Sequence, residues 1–183
     1  MRPALPDFPW DRLVPYRERA AQHPDGVVDL AIGSPVDPTP AIVRDALAAA
    51  ADAPAYPETS GTPELRQAIV DWYRRRRGVQ LGVENTLPTI GSKELVALLP
   101  TLLGIGPGDV VVHPTAAYPS YEVGARIAGA APLASDDPEA WPAPTRLIWL
   151  NSPRNPDGQV LGVPALRRAV ERARELGAGI PAD

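Results

Sequence analysis

Leu147-Ile148-Trp149-Leu150-Asn151-Ser152-Pro153-Arg154-Asn155-Pro156-Asp157-Gly158 runs an unbroken apolar tetrapeptide straight into a loop holding two Asn, two Pro and a Gly. Four consecutive large apolar residues bounded by turn formers predict a strand buried on both faces and ending in a turn. Strands of that kind belong to parallel sheets, and open α/β sheets bind ligands beyond the carboxyl ends of their strands. A single Asn-Pro pair reads as an ordinary polar turn. Asn151-x-Pro153 followed by Asn155-Pro156 at a strand end is less common and marks the loop as a functional one.

Outward from this stretch, helix and strand patterns alternate. Helical segments are expected at Asp11 to Gln22, Pro40 to Asp52, Thr62 to Arg77, Ser92 to Leu103, Tyr118 to Ala128 and Val163 to Leu176. Strands are expected at Val27 to Ile32, Leu87 to Ile90, Val110 to His113, Pro132 to Ala134 and Arg146 to Leu150. This is α/β order. Thr62 as N-cap, Pro63 at the first helical position, Glu64 in the first turn and Gly78 past the end delimit one helix closely. Val163, Leu166, Val170 and Ala173 form an apolar stripe at helical spacing in the last one. Pro138 to Pro144 reads as a loose surface loop. After Leu176 the sequence Gly177-Ala178-Gly179-Ile180-Pro181-Ala182-Asp183 stops where a βαβ unit would send in its next strand, so one helix face, with its apolar stripe, and one sheet edge are expected to lie uncovered and the chain to be marginal or aggregation-prone alone.

Composition removes several functions. A net charge of −4 offers no electrostatic footing for nucleic acid or an anionic membrane surface. With no cysteine there are no disulfides, thiolate metal sites or Cys nucleophiles. No apolar run approaches a membrane span and the opening residues lack a signal-peptide pattern, so a cytoplasmic protein is expected. His23 and His113 have no carboxylate at ligand spacing and no serine elbow, so neither a metal nor a Ser-His triad is expected. Arg74 to Arg77 fall in the last turn of a helix, where arginines satisfy carbonyls and the dipole more often than they bind nucleic acid.

Two further segments converge on the same sheet edge. Gly91-Ser92-Lys93 lies between a strand-like run and an apolar helix, where first-turn N–H groups form a generic anion site; a plain capped helix with a solvated lysine fits equally well. Lys93 is the only lysine in the chain. Tyr118-Pro119-Ser120-Tyr121 follows the strand Val110 to His113 and offers rings for a flat ligand to stack on, though core anchoring is the commoner fate of tyrosine. Tyr56 to Gly61 is a turn-rich polar loop, usually no more than a linker.

Taken in order, Gly33 before Ser34-Pro35, Tyr56 to Gly61 with Leu65-Arg66, Gly91-Ser92-Lys93, Tyr118 and Asn151 to Gly158 resemble the class I/II pyridoxal-phosphate aminotransferases. Leu5 to Asp11, Leu30 to Pro38 and Ile90 to Leu95 are more narrowly similar to bacterial succinyldiaminopimelate aminotransferases. The resemblance implies an α/β fold, the front part of a three-layer α/β/α large domain with a mostly parallel sheet, truncated before the Schiff-base lysine. Residues 1–35 would be an N-terminal arm and the start of the small domain, and 36–183 an incomplete pyridoxal-phosphate-binding domain. It further implies that Ser92 and Lys93 hold the cofactor phosphate, that Tyr118 stacks on the pyridine ring and that Asn155 binds the ring hydroxyl. Gly33 would lie against the substrate carboxylate, and Tyr56 would reach the phosphate of the other subunit of a homodimer. Asp157 departs from the family's usual Thr before Gly158.

The family's aspartate under the pyridine nitrogen, its Schiff-base lysine and its carboxylate-binding arginine find no match. Asp183 lies near where the aspartate-bearing strand would run, without matching neighbours. No catalytic residue is therefore expected in this chain, which alone should not turn over and should bind pyridoxal phosphate only weakly and noncovalently. The full-length relative would transfer an amino group between glutamate and N-succinyl-2-amino-6-ketopimelate. An aminotransferase of another substrate class, or a non-catalytic module binding a phosphate ligand or partner chain, stays open.

Overall fold

The computed structural model describes residues 5–7, 9–30, 33 and 35–183. Phe8, Ala31, Ile32 and Ser34, which carry parts of the resemblance and the end of the first expected strand, lie outside them. The chain forms two compact units, one of Met1–Arg17 with Ile90–Asp183 and the other of Glu18–Thr89. No helix among the described residues is long and apolar enough to cross a membrane.

In the first unit, β1 (Val110–His113), β2 (Ala131–Ala134) and β3 (Thr145–Ile148) make an all-parallel sheet in the order β2-β1-β3. Helices α4 (Ser92–Leu102), α5 (Ser120–Ile127) and α6 (Val163–Leu176) accompany it. Because successive side chains point to opposite faces of a strand, the apolar runs feed two cores. Val111, Leu147 and Trp149 pack with Val96, Tyr121 and Ala125 on the α4/α5 face. Val112 and Ile148 pack with Trp141, Ala169 and Ala173 on the α6 face. Each fully buried large apolar side chain contributes about 1.5–3 kcal/mol. The expected α/β class with a parallel sheet is what the chain adopts.

Three expectations are corrected. Residues 179–182 run parallel beside β3 through bridges Leu147↔Gly179 and Leu150↔Ala182, so the edge of β3 is paired. The Gly, Pro and Ala content of that segment hides its strand character, while its backbone still meets the demand of β3 for hydrogen-bond partners: Ile148 N–H donates to Gly179 O at 2.9 Å and Leu150 N–H to Pro181 O at 3.0 Å. Val27–Leu30 and Leu87–Ile90 form no strand, since no strand among the described residues pairs with either. Pro138 to Pro144 is not loose: a 3₁₀ turn spans Pro138–Ala140, and Trp141 is buried against α6, where Arg172 Nη2 donates to its carbonyl at 3.0 Å. The apolar stripe expected to lie uncovered on α6 is largely so: Val163 is 67% exposed and Leu166 and Val170 line a surface groove with Arg167 and Arg174, while Ala169 and Ala173 face the sheet. The small alanine face lets the helix lie close on the sheet, whereas the larger residues of the expected stripe face outward.

Helix α1 (Val14–Ala20) comes first along the chain, and the second unit contains α2 (Ala41–Ala49) and α3 (Pro63–Arg77). Thr62 Oγ1 accepts from Leu65 N–H at 3.2 Å, and Gly78 closes α3 in the left-handed region at φ 66°. The arginines of its last turn act locally: Arg74 pairs with Asp71 at 2.8 Å and Arg77 lies over the Trp72 ring at 5.5 Å.

Candidate cofactor site

At the carboxyl ends of β1, β3 and the terminal segment, two of the residues picked from sequence, Tyr118 and Asn155, are linked through Tyr121, Asp183 and Asn151. Tyr118 follows β1 and opens the approach to α5, half-buried against the α4/α5 core. Its ring meets Tyr121 edge-on, with centroids 6.0 Å apart at 88°. Tyr121 is fully buried and stacks on Trp149 at 4.9 Å and 23°. Three aromatic rings thus form one platform, with Tyr118 its only partly exposed member.

Ser92 and Lys93 occupy the first turn of α4, whose N-cap is Gly91 in extended backbone with no side-chain cap. Ser92 therefore lies inside the helix instead of capping it. A Cβ at Gly91 would meet nothing within 4 Å, and no side chain caps the N–H groups of the first turn. That is the geometry of an anion site at a helix N-terminus. The position of α4 is set by α5: a Cβ on Gly124 would stand 2.9 Å from the carbonyl oxygens of both Val96 and Ala97. Only glycine permits the helices that lead from Ser92 and Tyr118 to approach this closely.

After β3, the Asn155 N–H donates to Asn151 Oδ1 at 2.5 Å. Asn151 Nδ2 donates in turn to the Asp183 carbonyl at 2.7 Å. Asp183 N–H donates to Leu150 O at 2.9 Å, and Tyr121 Oη donates to Asp183 Oδ2 at 2.7 Å. Burial, then the hydrogen bond and charge of Asp183, hold the Tyr121 phenol well above the usual tyrosine range, so it stays a donor. Asp183 itself is exposed. An exposed carboxylate, an exposed Asn155 and a half-exposed Tyr118 ring consequently meet at one sheet edge.

Sequence reasoning set Asp183 aside because its neighbours match no motif. The available signal was spacing alone, since α6 ends at Leu176 and a returning parallel strand must end a few residues later. Gly33 and Tyr56 belong to the other unit. Both are exposed, Tyr56 at 99%, and a Cβ at Gly33 would meet nothing within 4 Å. Among the described residues, no group of three His, Asp or Glu could hold a metal. His113 is buried with Nδ1 at 2.9 Å from Pro114 O, which places its proton on that nitrogen. A cavity of about 390 Å³ lies on the α6 side, lined by Pro114, Asp136, Trp141, Leu150, Asn151 and Arg154 among others, and shares Asn151 with the hydrogen-bond network around Asp183.

The parallel sheet carries an aromatic platform and a carboxylate at its strand ends, and α4 begins without a side-chain cap, in an α/β architecture. The chain belongs to the aminotransferase class I and II family, whose model matches residues 25–181. Members of that family depend on pyridoxal phosphate, act on amino and keto acids, and are typically dimeric. The chain is 56% identical over 175 residues to the 4-dedimethylamino-4-oxo-anhydrotetracycline transaminase OxyQ of Streptomyces rimosus, covering 95% of this chain and 49% of that protein. It is 50% identical over 182 residues to the probable aminotransferase Rv1178 of Mycobacterium tuberculosis, covering 98% of this chain and 44% of that one. The structure of N-succinyldiaminopimelate aminotransferase from M. tuberculosis superposes with a TM-score of 0.79 at 29% identity, over 94% of this chain and 50% of that chain. The chain spans about half the length of the relatives it matches.

Proposed function

We propose that this chain carries the cofactor cradle of a pyridoxal-phosphate-dependent aminotransferase. The observation that carries the reading is the meeting of Tyr118, Asn155 and Asp183 at the strand ends. In this reading the first-turn N–H groups and side chains of Ser92 and Lys93 hold the phosphate, and Tyr118 lies against the ring. Asn155 hydrogen-bonds the ring hydroxyl. Asp183, oriented by Tyr121 and Asn151, holds a proton on the ring nitrogen and takes the role that the sequence reading placed outside this chain. When bound, the cofactor supplies the electron sink for amino-group transfer. Tyr121 donates to the Asp183 carboxylate from a phenol that resists deprotonation and so orients it. Gly33 is assigned to the substrate carboxylate and Tyr56 to the phosphate of the other subunit in a homodimer. The family's Schiff-base lysine and carboxylate-binding arginine are assigned to no residue of this chain.

For the acceptor, the sequence reading named N-succinyl-2-amino-6-ketopimelate. The 56% identity to the oxo-anhydrotetracycline transaminase, against 29% to the succinyldiaminopimelate enzyme, favours a ketone of the former kind as the second reading. Equilibrium dialysis of pyridoxal phosphate against wild type, Tyr118→Ala and Asp183→Asn tests the cradle. Saturable uptake that falls about tenfold or more in each variant is expected, from the loss of stacking and of a charge-assisted bond. Uptake indifferent to both substitutions refutes it.

A further inference from the structure

The loop bearing Asn155 is fastened from outside itself. The Arg154 guanidinium places Nε at 2.9 Å from both carboxylate oxygens of Asp157, with Nη2 also on Asp157. Its Nη1 donates to Asp136 Oδ2 at 3.1 Å. Asp136 follows β2 and accepts in addition from the Thr115 N–H, at 3.1 Å, and from the Thr115 hydroxyl just past β1. One arginine therefore ties the loop after β3 to the ends of both other strands. Its side chain is only 14% exposed, against 46% and 39% for the two carboxylates. Inside the loop, Arg154 N–H donates to Gln159 O at 2.9 Å, Gly158 N–H to Arg154 O at 2.6 Å and Gln159 N–H to Asp157 Oδ1 at 3.1 Å.

Asn155 is the next residue, and its own N–H is held by Asn151. Among the described residues no hydrogen bond engages its side-chain amide. A pinned backbone with an uncommitted, exposed amide is what a ligand-reading residue requires. We propose that Arg154, gripped by Asp136 and Asp157, is a positioning residue that fixes where the Asn155 amide stands for the cofactor ring. This rests on the cofactor reading given above. Asp157, where the resemblance expects Thr, is part of the device, because a carboxylate accepts the guanidinium fork through two oxygens and a hydroxyl cannot.

The test pairs a cofactor-free measurement with a cofactor titration on the full chain. Amide hydrogen exchange across residues 151–161 and pyridoxal phosphate affinity are compared in wild type, Arg154→Gln, Arg154→Lys and Arg168→Gln. Arg168 pairs with Glu139 and Glu175, shares no ion-pair partner with Arg154, and controls for loss of an ion pair as such. Arg154→Gln is expected to speed exchange at Arg154 and Gly158 and to weaken binding about tenfold, with Arg154→Lys in between, since lysine keeps the charge but not the fork. Arg168→Gln is expected to change neither. Unchanged exchange in Arg154→Gln, affinity within about twofold of wild type, or an equal loss in Arg168→Gln overturns the proposal while the cofactor reading stands. A wild-type chain without saturable uptake overturns that reading and the proposal with it.

Discussion

Gly124→Ala tests the packing that places the two helices of the site. The added methyl would stand 2.9 Å from the Val96 and Ala97 carbonyl oxygens and 3.1 Å from Ala97 Cα. All three are backbone atoms, so α4 or α5 has to move by roughly 0.5 Å to restore an ordinary contact. Overpacking of this kind costs about 1–3 kcal/mol, and the better helix propensity of alanine offsets roughly 0.5–1 kcal/mol of it. A net loss of about 1–2 kcal/mol is expected, a fall in Tm of roughly 2–8 °C for a chain of this size. Because α4 begins at Ser92 and α5 follows Tyr118, pyridoxal phosphate affinity should fall with it. Thermal melting and dialysis on the same samples measure both. A variant melting at or above wild type would show that the helices have room and that propensity alone decides.

Tyr121→Phe removes the 2.7 Å bond to Asp183 and should cost about 1.5 kcal/mol in denaturant titration, together with weaker cofactor uptake. Trp141→Ala empties the α6-side core and should destabilise by about 3–5 kcal/mol, whereas a freely moving loop at Pro138 to Pro144 would give almost no change. The Arg154 fork, and then the Gln159 N–H, lower the Asp157 carboxyl to about 2 from its ordinary 3.8. A depressed carboxylate stabilises above its unfolded pKa and loses that contribution as pH falls through the folded one. Melting temperatures of wild type relative to Asp157→Asn should therefore be level above about pH 4 and converge toward about pH 2.

The helices were legible because their ends carry local chemistry: Thr62, Pro63 and Gly78 delimit α3 with no help from tertiary contacts. The strands β1 and β3 were legible because burial on both faces leaves an unbroken apolar run. Residues 179–182 were not, since their pairing rests on backbone groups and their side chains are small. Asp183 was missed for the same reason, as a carboxylate acquires its place from the strand beneath it and from Tyr121, 62 positions away. The α6 stripe was legible as an uncovered apolar face, but periodicity did not say that Ala169 and Ala173 are the residues that lie on the sheet. Arg154 and Asp136 are 18 positions apart, and only the parallel order of β2, β1 and β3 brings them together.

The most direct test of the cradle is a crystal structure of the chain with pyridoxal phosphate. The account predicts the phosphate at the first turn of α4 by Ser92 and Lys93, the ring against Tyr118, and the ring nitrogen within hydrogen-bonding distance of the Asp183 carboxylate. Cofactor bound elsewhere, for instance in the cavity beside Trp141, with the Tyr118 ring and Asp183 untouched, would contradict it.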